Sequence, residues 1–258
     1  MRYFQWISIN YINSPVLIFL LIHTILYLNN IKNKIMSQTR RSFMAALAIG
    51  TSASALPLIQ EIEKLDLNLE IMDNEITDAK DWLSKVKGNK KVVYDGTTFN
   101  KGFSVYWNWV YYQSNIDMKV QQSDITTVSV FRAMGICPAF KSELWSKYKF
   151  GEFFKINDPK TGKPSVRNFV NDPSKGDLPG GGLVGISEML TNGSLFCVCG
   201  SATKIVSGII AKRMNLNADE VLEDFKNSII EGVQIVPTGV WALGELQAKG
   251  CGYIYAGG

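Results

Sequence analysis

Two cysteines separated by one residue stand out in the segment GSLFCVCGSA, residues 193–202. An ionised cysteine is a nucleophile and a ligand for soft metals. Cys199 is predicted to end a strand and precede a helix, where backbone N–H groups and the helix dipole can lower its pKa. Gly200 leaves room for a partner beside the sulfur. Cys199 is therefore the candidate reactive residue, and burial as an ordinary core cysteine is the alternative.

Of the other three cysteines, Cys197 and Cys251 are predicted to be structural, and Cys137 is not expected to form a disulfide with Cys199. Cys197 lies two residues earlier on the same strand face and should be a small buried hydrophobe. A bridge between Cys197 and Cys199 is disfavoured, because alternate Cα atoms of a strand are about 6.6 Å apart with parallel Cβ vectors. Cys251 should open the last strand at the opposite edge. If strand one lies between strands two and three, Cys137 lies about 9.5 Å from Cys199, too far for a disulfide.

Polar residues and glycines follow the other predicted strands. Asp95 either orients a ligand or acts as a base, or it shapes the turn after strand one. Arg132 either binds an anion such as a sulfur oxyanion or forms a structural ion pair. Ligands of parallel sheets gather at the carboxyl ends of the strands. Asp95, Arg132, Gly200 and Thr238 are therefore the candidate ligand-binding residues.

Apolar runs alternate with helical patterns and place these residues. The predicted strands are 90–96, 124–134, 194–200, 233–239 and 251–258. The predicted helices are 103–115, 138–148, 184–193, 202–215, 217–232 and 240–250. Residues 103–115 are rich in aromatic side chains and also fit a strand. The alternation predicts an α/β fold with a mostly parallel, doubly wound sheet.

Residues 155–182 interrupt this alternation with four prolines and the glycine run 180–182. A loop of this length inside a compact domain is usually functional or disordered. The glycines are not a phosphate loop, because they lack the lysine and the preceding strand. No dinucleotide or nucleotide signature occurs elsewhere, so no cofactor is expected.

Residues 1–55 have the features of a leader. Arg40 and Arg41 precede a short apolar run, and Ala53-Ser54-Ala55 follows as a peptidase site. This order is typical of an export signal of the twin-arginine type, here residues 36–55, and predicts a periplasmic protein. An amphipathic helix that happens to carry two arginines is the alternative.

Residues 1–35 have two interpretations. The apolar run 16–28 is short for a membrane span, which needs about 20 residues. Met36 stands directly before the twin-arginine segment. We predict that Met36 is the true start, and a membrane anchor is the alternative. Residues 56–89 are predicted to be a helical lead-in, and residues 90–258 the main domain.

Charge and histidine content exclude several functions for residues 56–258. Five of the 27 basic residues and none of the 23 acidic residues lie in residues 1–55, which leaves 22 basic and 23 acidic residues. This balance gives no electrostatic case for nucleic acid. The single histidine, His23, also lies in the leader. Cys-His or Ser-His catalysis and a His-ligated metal are therefore not expected, and no metal site is predicted.

Two segments carry a resemblance to a known family: VCGSATKIVSGIIAKRMNL at 198–216 and EGVQIVPTGVWALGELQAKGCGYIYAGG at 231–258. Over residues 90–258 the chain resembles the DsrE/DsrF-like family, most closely its exported, twin-arginine-bearing members. The resemblance implies a three-layer, flavodoxin-like sheet with helices on both faces, and a homo-oligomer. Characterised relatives are sulfur-relay proteins with a persulfide on a cysteine after a central strand. That role maps onto Cys199 and not onto Cys197.

The resemblance has one departure. Exported relatives often have a histidine after the arginine of strand two, whereas Ala133 follows Arg132 here. The expected function is sulfur handling, with Cys199 as a persulfide carrier and a sulfur donor or acceptor protein as partner. The alternative is a non-catalytic ligand-binding or oligomeric interaction protein on the same fold. The missing histidine favours the alternative, and the position of Cys199 favours the sulfur carrier.

Overall fold

A five-stranded parallel sheet forms the centre of the computed structural model, which describes residues 73–258. The strands lie in the order β4-β3-β2-β1-β5, and every neighbouring pair is parallel. Their bounds are β1 Lys90–Gly96, β2 Ile125–Phe131, β3 Leu195–Cys199, β4 Val233–Val236 and β5 Gly252–Tyr255. The predicted leader with Arg40 and Arg41 lies outside the described residues.

Eight α-helices connect or precede these strands within residues 73–258. They are α1 Asp73–Leu83, α2 Phe103–Asp117, α3 Ser142–Lys147, α4 Phe150–Phe153, α5 Ile186–Thr191, α6 Gly200–Met214, α7 Ala218–Asn227 and α8 Gly239–Ala248. No helix of this part of the chain is long and apolar enough to cross a membrane.

Helices cover both faces of the sheet. On one face, Val206 of α6 belongs to the same buried cluster as Val198 of β3. On the other face, Trp82 of α1 and Leu246 of α8 share a cluster with Val130 of β2. Strands that are covered on both faces need nearly continuous buried residues, and every residue of β2 is buried. This confirms the predicted three-layer, flavodoxin-like α/β fold.

The side of the sheet on which successive strands are added changes once. Strands β1 to β4 are added successively on one side, and α8 then leads back to β5 beside β1. The reversal therefore falls between β1 and β5. In open α/β sheets, ligands bind outside the carboxyl ends of the strands at such a point.

One predicted helix is divided in the structure. The aromatic-rich segment is helical, as α2, but residues 138–148 contain a short 3₁₀ turn at Cys137–Ala139 followed by α3. Phe140 between them is extended, with φ −113° and ψ 145°, and forms an antiparallel bridge with Ile229. The bridge requires the extended backbone, which a continuous helix would remove.

Candidate functional site

The five predicted site residues lie along one edge of the sheet. Asp95 lies near the end of β1, Arg132 follows β2, Cys199 ends β3, Gly200 begins α6, and Thr238 follows β4. We call the group Asp95, Arg132, Cys199, Thr238 and Gly239 the Cys199 site. These residues come together because the carboxyl ends of parallel strands meet at the same edge.

Cys199 is the N-cap of α6, a helix of 15 residues. Its Sγ accepts a hydrogen bond from the N–H of Ala202 at 3.3 Å. Its carbonyl oxygen accepts a bond from the hydroxyl of Thr203 at 2.9 Å. The residue is only 1% exposed. The sulfur therefore takes the place that serine or aspartate oxygens usually occupy at a helix start.

The expected lowering of the Cys199 pKa is wrong for the folded chain. Burial raises the pKa of the thiol, because the thiolate loses its hydration. Backbone N–H groups of Ala202, Gly239 and Ser201 and the charge of Arg132 lower the pKa, but the net direction is upward. The N–H groups and the positive charge that would stabilise a thiolate are present, but the buried sulfur lacks hydration by water.

Arg132 and Asp95 form a two-pronged ion pair next to the sulfur. Nε of Arg132 donates to Oδ1 of Asp95 at 2.7 Å, and Nη2 donates to Oδ2 at 2.8 Å. The hydroxyl of Tyr253 also donates to Oδ2, at 2.8 Å. The Asp95 side chain is 1% exposed and that of Arg132 16%. Arg132 therefore forms the structural ion pair that was one of its two alternatives, and Asp95 is its partner, a role that the sequence did not predict for Asp95. The charge of Arg132 acts on Cys199.

A tight turn holds Arg132 in place. The N–H of Arg132 donates to the carbonyl of Gly96 at 3.0 Å. Ala133, which replaces the histidine expected from the resemblance, is fully buried with a φ of 54°. A left-handed backbone is unfavourable for alanine, so the packing around the turn must impose it. A Cβ on Gly135 would lie 2.3 Å from the carbonyl oxygen of Gly96, which shows how closely the turn packs on β1.

Thr238 caps the helix that follows β4. Its Oγ1 accepts a hydrogen bond from the N–H of Trp241 at 3.1 Å, so the first turn of α8 begins at the site. The carbonyl of Pro237 accepts bonds from the N–H and hydroxyl of Ser201, which ties the start of α6 to the end of β4. Two helix N-termini thus converge beside Cys199, and Thr238 acts first as a cap.

The other cysteines are buried, and all four are free thiols. Cys197 packs in the cluster of α1 and α8, whereas Cys199 packs in the opposite cluster, so the prediction that both lie on the same strand face is wrong. The assumption that strand one separates strands two and three is wrong, because β2 lies directly beside β3. Cys137 therefore shares a cluster with Cys199. Burial raises the pKa of both Cys137 and Cys197 well above the usual thiol value. Cys251 precedes β5 at the opposite edge, as predicted.

The long segment 155–182 is ordered around one arginine. Nε of Arg167 donates to Asp158 at 2.6 Å, and its two terminal nitrogens donate to Asp177 at 2.9 and 2.7 Å. Asn168 donates to the carbonyls of Pro138 and Phe140, both at 2.8 Å, which fixes the segment to the domain. Of the two predicted alternatives, disorder is wrong, because the segment is an ordered loop with its own polar core.

Two residues of the site were missed. Tyr253 lies in β5, 158 residues from the Asp95 that it contacts, and no local pattern links them. Gly239 follows Thr238 and faces Arg132. Gly239 ends the predicted strand 233–239, directly before the predicted helix 240–250, and this position at a carboxyl end was the one available signal. Among residues 73–258, no group of three or more metal-ligating side chains occurs.

No protein-family model, no curated protein and no solved structure matches this chain. The fold and the geometry of the Cys199 site therefore carry the functional argument.

Proposed function

We propose that the protein is an exported, DsrE-like sulfur-handling protein that carries a persulfide on Cys199. One observation carries the proposal: Sγ of Cys199 accepts an N–H bond at the start of α6, with Arg132 close enough to act on its charge. Cys199 is the one cysteine of the chain that ends a strand. Ligands of this type of sheet bind at that edge.

A persulfide suits this environment better than a thiolate does. Burial raises the pKa of the Cys199 thiol, so the resting form near neutral pH is the protonated thiol. A persulfide loses its proton more readily than the parent thiol. N–H groups and the charge of Arg132 stabilise such an anion. The site thus protects the free thiol and favours the loaded form.

The loading step balances without an external oxidant. The Cys199 thiol first loses its proton, which the leaving thiolate R–S⁻ takes up through solvent, and the resulting thiolate attacks the outer sulfur of a donor persulfide, R–S–SH. One S–S bond forms on Cys199, the S–S bond of the donor breaks, and the donor leaves as the thiolate R–S⁻. The reverse reaction delivers the sulfur to an acceptor thiolate. The donor or acceptor is a protein or a small thiol.

The burial of Cys199 favours a second candidate, a ligand-binding or interaction protein that does no sulfur chemistry. The side chain is 1% exposed, so a donor reaches it only if the edge opens. The clamp of Asp95 on Arg132 would then serve structure alone.

Mass spectrometry after incubation with a small alkyl persulfide separates the two candidates. We expect a mass increase of one sulfur on Cys199 and none on Cys197, the internal control two residues earlier. The Cys199→Ala variant should take up no sulfur, and the Cys197→Ala variant should be loaded like the parent. A Cys199 that stays unmodified, with reactivity no higher than in the denatured chain, removes the sulfur-carrier function.

We further propose self-association through β5. Its residues Tyr253, Ile254 and Tyr255 are 45%, 39% and 52% exposed, and β1 is its one partner strand in the described part of the chain. Residues 251–258 carry no charged side chain, so two copies can pair about a two-fold axis without repulsion. Light scattering tests this: Ile254→Lys should shift a dimer or larger assembly to monomers, and a monomeric parent contradicts it.

Export through the twin-arginine route is a proposal from the sequence alone. Replacement of Arg40 and Arg41 by lysines should leave the precursor unprocessed. Peptide analysis of the precursor decides the start of the chain, and a peptide from residues 3–30 would contradict a start at Met36.

A further inference from the structure

Gly239 occupies a position that has no room for a side chain. A Cβ atom at this residue would lie 2.6 Å from Cβ of Arg132 and 3.0 Å from its Cδ. Real Cβ atoms essentially never approach to 2.6 Å, so a side chain here would move Arg132 or the start of α8. Cβ of Arg132 belongs to the fixed base of the side chain, and the turn at Ala133 holds that base in place.

The start of α8 lies close to Cys199, because Cys199 pairs with Val236 in the sheet and the N–H of Ser201 donates to the carbonyl of Pro237. The N–H of Gly239 is one of three N–H groups that act against the burial-raised pKa of the Cys199 thiol. Gly239 is the first residue of α8. N–H groups in a first helical turn have no partner within the helix, so this donor is available to the sulfur.

The close approach accounts for a glycine that is otherwise unfavourable. Glycine in a helix is less stable than alanine by about 1 kcal/mol. Gly244 lies in the same helix, and a Cβ there would meet nothing within 4 Å. The two glycines of α8 therefore differ in the space around them: Gly239 packs against Arg132, and Gly244 faces open space.

We propose that Gly239 is a positioning residue of the Cys199 site: without a side chain, α8 begins against Arg132, so its first N–H groups stay beside Cys199 while the guanidinium stays clamped to Asp95. The inference deepens the proposed function and rests on it for its biological meaning. Its physical content concerns the acidity of one thiol and is tested separately.

The test compares Gly239→Ala with Gly244→Ala in the full chain. Two rates are measured for Cys199 by site-resolved mass spectrometry: alkylation by iodoacetamide across a range of pH, and uptake of sulfur from a small alkyl persulfide. Gly239→Ala should shift the alkylation profile of Cys199 to higher pH by about one unit, which slows both reactions about tenfold below the pKa. Gly244→Ala should leave both rates unchanged.

A second variant covers the case in which Gly239→Ala fails to fold. Thr238→Ala removes the cap of α8 without adding bulk, so the start of the helix is loosened. Its alkylation profile should shift in the same direction by a smaller amount. Circular dichroism and thermal unfolding establish that each variant is folded before its rates are compared.

The outcomes separate the inference from the proposed function. A parent that takes up sulfur, together with an unshifted profile in folded Gly239→Ala or Thr238→Ala, overturns the inference and leaves the function. A parent that takes up no sulfur overturns the function, and the alkylation profiles still decide the role of Gly239. A shifted profile in the Gly239→Ala protein with Gly244→Ala unchanged supports the inference.

Discussion

Arg132 and Arg167 both form ion pairs with aspartates, but the two ion pairs use different numbers of guanidinium nitrogens. Arg167 uses Nε and both terminal nitrogens on Asp158 and Asp177, and its guanidinium lies 5.6 Å from the ring centre of Phe169. Arg132 uses Nε and Nη2 on Asp95 alone. Among the described residues, no side chain or carbonyl accepts from Nη1 of Arg132.

The difference shows how one residue type serves two purposes. Arg167 bonds through all three of its nitrogens to Asp158 and Asp177, so its guanidinium stabilises the 155–182 segment. A guanidinium held on one side keeps a fixed direction and a remaining donor. Arg132 is of this second kind, and it lies where its charge acts on Cys199. The comparison therefore assigns a structural role to Arg167, whereas Arg132 combines a structural role with a charge that acts on Cys199.

Arg132→Met should have the largest effect. The Asp95 carboxylate, 1% exposed, would lose its cation, and breaking a buried pair in this way costs about 3–5 kcal/mol of unfolding free energy. The Cys199 alkylation profile should also move to higher pH, because a positive charge near the sulfur is lost. Urea denaturation and site-resolved alkylation measure the two effects. Lower stability with an unchanged alkylation profile would mean that Arg132, like Arg167, has a structural role alone.

Arg167→Met should lower the free energy of unfolding by about 3 kcal/mol. This loss is smaller than that of Arg132→Met, because the Arg167 side chain is 31% exposed. The Asp177 carboxylate, whose side chain is fully buried, is the group left without its cation. Cys199 chemistry in the folded variant should equal that of the parent. A slower reaction of Cys199 would contradict a purely structural role of Arg167, because it would show that the 155–182 segment affects the Cys199 site.

Acid should weaken the Arg167 clamp at a defined pH. Burial raises the pKa of Asp177, but bonds from Arg167 and Ser174 outweigh it and lower the pKa to about 2. A folded-state pKa below the unfolded value stabilises the fold above about pH 4, and this stabilisation is lost as the pH falls through about 2. We expect a loss of about 1–2 kcal/mol over that interval. Unfolding of Arg167→Met should show a smaller dependence on pH there.

Tyr253→Phe should lower stability by about 1 kcal/mol, because it removes a hydrogen bond to the charged Asp95. Tyr255→Phe is the matched control, since its hydroxyl bonds to the neutral hydroxyl of Thr97 at 3.0 Å. The control should cost about half as much. Equal losses for the two variants would mean that the charge on Asp95 adds nothing to the Tyr253 bond.

Ala133→Gly should have the smallest effect and the opposite sign. The φ of 54° is unfavourable for alanine and free of strain for glycine, so stability should rise by up to about 1 kcal/mol. Thermal unfolding measures the change. A loss of stability would mean that the buried methyl group contributes more than the backbone strain costs.

The sequence predicts the features that depend on local patterns. All five strands lie within the predicted segments, and their carboxyl ends bring Asp95, Arg132, Cys199 and Thr238 to one edge, because a parallel sheet permits no other arrangement. The order of the strands does not follow from local patterns, so the placement of Cys137 relative to Cys199 was wrong. Strand neighbours depend on contacts between distant segments.

The electrostatics of the site needed the packed structure. The position of Cys199 before a helix predicts N–H donors, and the donors are there. The burial of Cys199 comes from the cluster on one sheet face, which includes Ile136 and Cys137 after β2, and it reverses the net direction of the pKa shift. The ion pairs of Arg167 were also not predictable from the sequence, because its aspartates lie nine and ten residues away in a segment without periodicity.

The pairing of β5 with β1 has a consequence for folding. Asp95 and Tyr253 are 158 residues apart in sequence, so their contact closes one of the longest loops in the described chain. Contacts of such separation form late, because the entropy of loop closure must be overcome first. During synthesis, β1 to β4 emerge before β5 does. We expect the nascent chain to hold an incomplete sheet whose Asp95–Arg132 pair lacks its third partner, and the site to reach its final geometry only when β5 docks.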